Sequence, residues 1–144
     1  MIKKISGFFT KQPNVVAAYL YGSRARGEES KKSDLDLAIL FKEPITEYNK
    51  ILELRVEIQN LIGNTVLVDL REIHLGLSPV FLGQVISTGK VVYCRDENFR
   101  INFEVKVMRM IDDYERIRKI NLYYLKKSLE EGSFGRKKDS TKIT

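Results

Sequence analysis

The chain is predicted to fold as a single α/β (α+β) domain in which helices and strands alternate and a long helix closes the C-terminal end. Two patterns carry this prediction. Short runs rich in β-branched and aromatic residues, bounded by Gly, Pro and Asn, alternate with segments of helical period. The 144 residues, 43% of them hydrophobic, suffice for one core and leave little for a second.

The elements follow in order. Ile2, Ile5, Phe8 and Phe9 have helical spacing over residues 2–11, and Pro13 with Asn14 stops the segment. Val15 to Tyr21 is a strand closed by Gly22-Ser23. Asp34 to Phe41 is a second strand that starts acidic and becomes continuously apolar, as in a strand buried on both faces, and Pro44 ends it. Thr46 is the expected cap of a helix whose stripe is Tyr48, Ile51, Leu54, Ile58 and Leu61, with Gly63-Asn64 as its stop. Thr65 to Leu70 is a third strand. Ser78-Pro79 opens a third helix with Phe81 and Val85 one turn apart, Gly89 ends it, and Val91 to Cys94 is a short fourth strand.

From about Asn98 to Glu130 the pattern is helical throughout. Met110, Tyr114, Ile117 and Tyr124 form one stripe, with Leu122, Leu125 and Leu129 beside it; core packing and a partner interface are both open to them. Asp112 with Arg116 and Glu115 with Lys119 are expected i,i+4 pairs. Residues 1–131 read as the folded domain and 132–144 as a basic, disordered tail.

Composition narrows the function classes. No apolar run is long enough to span a bilayer or to serve as a signal peptide, so a cytoplasmic protein is expected. The single Cys94 excludes an internal disulfide, and one Cys with one His (His74) cannot build a zinc site, so any metal must be a hard ion held by carboxylates. Arg136, Lys137, Lys138 and Lys142 against Asp139 place half of the net charge of +6 in the tail. The body is only mildly basic, which makes nucleic acid an unfavoured partner.

The chemistry concentrates in Gly22-Ser23, a ten-residue spacer and Asp34-Leu35-Asp36. Gly22, lacking Cβ, lets a phosphate approach the backbone, and a turn after it points amides and the Ser23 hydroxyl at an anion. A period of two puts Asp34 and Asp36 on one face, where two carboxylates resist joint ionisation unless a cation sits between them. Oxygen-only ligands beside a phosphate suit Mg²⁺. Asp69 interrupts the apolar run of the third strand. A buried charge there needs a reason: either a third carboxylate of the same site, or pairing with Arg71 or Arg55. Glu72 competes for the role but falls on the opposite face. Arg24 and Arg26 are candidates for the β- and γ-phosphates, or are solvated loop arginines. Ser33 and Gly27 read as turn residues, and His74 as structural rather than a base.

The string GSRARGEESKKSDLDLAI, with a later acid on another strand, resembles the polymerase-β-type nucleotidyltransferase superfamily, and within it the minimal nucleotidyltransferases that act as antitoxins to HEPN-domain toxins. The resemblance implies a polymerase-β-like nucleotidyltransferase fold, a small mixed sheet with helices on one side, and transfer of AMP from ATP with two Mg²⁺ ions. It implies that Ser23, beside Gly22, binds the triphosphate, with Arg24 and Arg26 left as candidates for its outer phosphates. Asp34 and Asp36 would bind both metals, and Asp69 would bind the catalytic metal and help activate the attacking hydroxyl. The implied acceptor is a tyrosine of a cognate HEPN ribonuclease, with which the chain would form a hetero-oligomer. The alternatives are nucleotide transfer to a small molecule such as an aminoglycoside, and an antitoxin that neutralises by binding alone.

Overall fold

The computed structural model describes residues 1–27 and 34–132. Ser33 and nearly all of the basic tail lie outside the described residues. The elements are α1 (Ile2–Thr10), β1 (Val15–Tyr21), β2 (Leu35–Phe41), α2 (Tyr48–Ile62), β3 (Val68–Ile73), α3 (Pro79–Thr88), β4 (Lys90–Cys94) and α4 (Glu97–Glu130). The strands form one mixed sheet of order β3-β2-β1-β4, with β1 antiparallel to both neighbours and β2 parallel to β3.

β2 is buried along nearly its whole length, so it needs cover on both faces. On one face Ile5 and Phe9 of α1 and Leu54 and Ile58 of α2 pack with Leu20, Leu35, Leu37, Ile39 and Leu70. On the other, Leu82 and Val85 of α3 and Phe103 and Val107 of α4 are buried, and the Tyr19 hydroxyl donates to Glu104 Oε2 at 2.8 Å. Helices therefore cover both faces, not the one face that the resemblance implied.

β3 lies three residues later than the predicted Thr65 to Leu70. The Gln59 side chain competes for this backbone: its Nε2 donates to the carbonyls of Gly63 (2.7 Å) and Val66 (2.8 Å), and its Oε1 accepts from the Val68 amide (2.9 Å). Residues 63–67 are thus tied to α2 as a connection. The strand runs on past Leu70 because Ile73 is buried and Glu72 Oε2 accepts from the Ile45 amide at 2.9 Å. That same bond anchors the approach to α2, whose N-cap is Glu47 rather than Thr46 and makes no side-chain cap bond.

Arg95 was not singled out from sequence, yet its guanidinium closes the end of α1, donating to Thr10 O at 2.8 Å while its Nε reaches Val15 O at 3.3 Å. Gly89, the C-cap of α3, stands where a Cβ would collide with the Val85 carbonyl oxygen. Asp96 caps α4, its Oδ1 accepting from the Phe99 amide at 3.1 Å.

By internal packing, residues Met1–Met108 form one compact unit, and a second begins at Arg109. In the second, ion pairs join Arg116 to Asp113 and Arg118 to Glu115 at i,i+3, in place of the expected Asp112–Arg116 and Glu115–Lys119. Tyr114, Ile117, Tyr124, Leu122, Leu125 and Leu129 are exposed, so core packing does not account for the stripe. Among the described residues, no helix is long and apolar enough to cross a membrane.

Candidate active site

β1 ends at Tyr21, and the chain turns at Gly22 with φ +76°. The turn closes through hydrogen bonds from the Arg26 amide to Gly22 O (3.3 Å) and from the Gly27 amide to Arg24 O (3.4 Å), with Ala25 buried beneath it. Gly27 also takes a positive φ, +73°, as expected of a turn residue. Ser23 and Arg24 are half-buried and Arg26 is exposed.

Gly22 has a further reason to be glycine. A Cβ there would run into Oδ2 of Asp36, so the carboxylate leans over the turn in the space that a side chain would take. The Gly22 turn and Asp36 of the Asp-x-Asp pair are in direct contact through this position.

Sheet register assembles the rest. Tyr21 faces Asp36 across the β1–β2 pair, and Asp36 faces Asp69 across β2–β3, so the three form one row. Asp34 stands one step before β2, on the same face by strand period. Asp69 is exposed on an edge strand, so the argument that a buried charge demands a reason does not apply to it; register, not burial, brings it to Asp36. Arg55 is not its partner, since its Nε donates to Val68 O at 3.0 Å. Glu72 points its carboxylate at the Ile45 amide, away from the row. His74 accepts from the Gly76 amide at 3.1 Å through Nδ1, in keeping with a structural role.

Electrostatics show the cost of the arrangement. Burial pushes the Asp36 carboxyl above the ordinary carboxylate range, and the charges of Asp69 and Asp34 push it further, while Arg71 opposes them. The Tyr21 phenol is pushed up to about 12 by burial and then by Asp69 and Asp36, with Arg71 again opposing them. Arg71 in turn lies over the Phe81 ring at 5.1 Å from its centroid, and Phe81 meets Tyr21 edge-on at 5.7 Å. Tyr21, Arg71 and Phe81 escaped the sequence reading as site residues. Tyr21 was legible as the last residue of a strand on the parity of Tyr19, but its partner across the sheet was not.

The donor set fits a magnesium ion. All three candidate ligands are carboxylates, and Cys94 and His74 lie elsewhere. Among the described residues no group of three His, Cys, Asp or Glu side chains stands close enough to hold a metal. A full protein cage is not what Mg²⁺ requires, since it keeps water and takes one or two carboxylates together with substrate phosphates. The raised proton affinity of Asp36 is the observation that supports the fit, because a divalent cation beside it relieves the same repulsion.

Residues 3–98 match the family model described as polymerase beta, nucleotidyltransferase. No curated protein matches the chain. Among solved structures, a chain from a toxin-antitoxin complex with AMP-PNP superposes with a TM-score of 0.70 at 23% identity, covering 86% of this chain and 97% of that one. A structure of a tri-AMPylated Shewanella oneidensis HEPN toxin in complex with MNT antitoxin matches with a TM-score of 0.61 at 21% identity, over 87% and 98%. A crystal structure of the toxin-antitoxin MntA-HepT gives 0.61 at 22% identity, over 85% and 93%. At these identities the likeness is one of fold.

Proposed function

The chain belongs to the polymerase β nucleotidyltransferase family, and from that premise we propose that it is an Mg²⁺-dependent adenylyltransferase that modifies a tyrosine hydroxyl of a cognate HEPN ribonuclease toxin and thereby acts as its antitoxin. The observation that carries the reading is the row Tyr21–Asp36–Asp69 beside the Gly22 turn, where the Asp36 carboxylate occupies the place of a Cβ. Solved complexes that combine this fold with AMP-PNP or with an AMPylated HEPN toxin support the choice of nucleotide and partner.

In this scheme Ser23 and the backbone of the turn hold the triphosphate, with Arg24 and Arg26 placed for its β- and γ-phosphates. Asp34, Asp36 and Asp69 are the residues that would hold Mg²⁺, which would supply positive charge to offset that building up on the triphosphate. Asp69 also takes the proton of the acceptor hydroxyl. The hydroxyl oxygen forms a bond to the α-phosphorus as the bond from that phosphorus to the α,β-bridging oxygen breaks, and diphosphate leaves. Tyr21 and Arg71 flank the carboxylate row, Tyr21 as the register partner of Asp36 and Arg71 two residues beyond Asp69 on β3.

The test is catalytic turnover. A trace of the protein with ATP and Mg²⁺ inactivates a molar excess of its toxin, and the toxin's mass rises by whole AMP units. Silencing only at equal molarity, without mass change and equally by an Asp34→Ala/Asp36→Ala double variant, would establish binding alone as the antidote. Labelling of an aminoglycoside but not of the protein would establish a small-molecule acceptor.

A further inference from the structure

The C-terminal half of α4 carries an apolar face that nothing in the described chain covers. Tyr114, Ile117, Ile120, Tyr124 and Leu125 are exposed, and an isolated helix gains nothing in water from such a stripe. The spacing is that of a coiled-coil seam. Met110, Tyr114, Ile117, Asn121, Tyr124 and Ser128 follow one another in alternating steps of four and three residues, over ~27 Å of helix. Ile111, Arg118 and Leu125 flank the seam on one side, and Asp113, Ile120 and Lys127 on the other. When two identical helices pair antiparallel, each flanking row meets its own copy run backwards, so its two ends must complement each other.

We propose that this face is the interface between two copies of the chain, which pair over residues 110–128 as an antiparallel two-stranded coiled coil. In the register centred on Lys119, Asp113 meets Lys127 of the second copy, Ile111 meets its Leu125, and Ile120 meets its Ile120. Asp113 is open to this pairing, because its 3.4 Å contact with Arg116 joins two exposed groups. Along the seam Tyr114 meets Tyr124, which already stands edge-on to Tyr123 at 5.3 Å, Ile117 meets Asn121, and Met110 meets the small Ser128. Arg118 comes opposite its own copy, and Glu115 of the same helix, 3.4 Å away, offsets its charge. Sliding one helix by a heptad in either direction sets Asp113 or Lys127 against Ile120, so charge selects this register. Parallel pairing would carry the seam back into Phe103 and Val107, which continue the same steps and are already buried; the antiparallel overlap stops short of both. The inference concerns assembly and does not depend on the proposed reaction.

The experiment is sedimentation equilibrium of the full chain alone, without nucleotide, metal or toxin. A monomer–dimer equilibrium with a Kd in the micromolar range is expected, and Ile117→Glu, at an exposed seam position, raises that Kd by about tenfold or more. Charge exchange tests the register. Asp113→Lys and Lys127→Asp each weaken the dimer by about fivefold, and the double variant, which restores opposite charges across the pair, recovers most of the loss. Cross-linking tests it again on a Cys94→Ser background: a short bis-maleimide joins two chains through Ile120→Cys, which faces its own copy, far faster than through Lys119→Cys, which faces away. A chain that stays monomeric at ~100 µM overturns the proposal. So does a dimer in which Asp113→Lys is rescued by Arg118→Asp instead of Lys127→Asp, since that pairing belongs to parallel helices, or one that cross-links equally through both positions. A chain that is monomeric alone but loses toxin binding on Ile117→Glu would assign the face to the toxin and overturn the pairing of copies.

Discussion

Gly22→Ala tests the contact between the turn and the carboxylate row. The substitution imposes two separable penalties. A left-handed φ of +76° costs a residue with a Cβ about 1–2 kcal/mol. The new methyl also displaces Asp36 Oδ2, forcing the carboxylate off its rotamer at a further cost of about 0.5–1.5 kcal/mol. Gly27→Ala is the control, since it carries φ +73° with nothing among the described residues within 4 Å of the added Cβ. Urea denaturation should therefore show a loss of ~1.5–3.5 kcal/mol for Gly22→Ala, the sum of the two penalties, and ~1–2 kcal/mol for Gly27→Ala, with unchanged slopes. The larger difference is in chemistry. A metal ligand shifted by the order of 1 Å lowers AMP transfer by about a hundredfold, whereas Gly27→Ala changes it far less. Equal losses of stability and of transfer in the two variants would refute the claim that Gly22 exists to make room for Asp36.

Two further predictions concern the carboxylates. Asp69→Asn should keep ATP binding and reduce transfer by roughly a hundredfold or more, while Glu72→Gln, whose oxygen still faces the Ile45 amide, should be mild; the reverse pattern, read by labelled-AMP incorporation, would assign the third carboxylate to Glu72. Asp36 holds its proton more tightly in the folded than in the unfolded chain, so in metal-free buffer stability falls as pH rises from the ordinary carboxylate range through the raised value. Asp36→Asn removes that fall and should melt higher than the wild type at neutral pH while losing transfer. A lower melting temperature for this variant would show that the row is not under electrostatic strain.

Much of the local architecture was legible because its signals are short-range. Val15–Tyr21 was read to the residue, since β-branched and aromatic residues between Asn14 and Gly22 need no distant partner to declare a strand. The failures were equally physical. Thr65 to Leu70 has the pattern of a strand, but a side chain on α2, Gln59, claims the backbone of residues 63–68 first. Thr46 is a good capping residue that goes unused, because α2 starts at Tyr48 and its N-cap position falls on Glu47. Phe103 and Val107, the buried residues of α4, precede the more conspicuous aromatic stripe that remains exposed.

For the candidate site, the sequence alone determined the local placement of the first loop's residues: a glycine and serine ending one strand and two aspartates of equal parity at the start of the next. These follow from turn chemistry and from a period of two, which act within a few residues. Tertiary structure decided that β3 lies parallel to β2 with Asp69 opposite Asp36, that Tyr21 completes the row from β1, and that Asp36 leans into the space above Gly22. Strand order and register depend on packing between segments far apart in the chain, and a shift of one residue would turn Asp69 to the other face while leaving every local pattern unchanged.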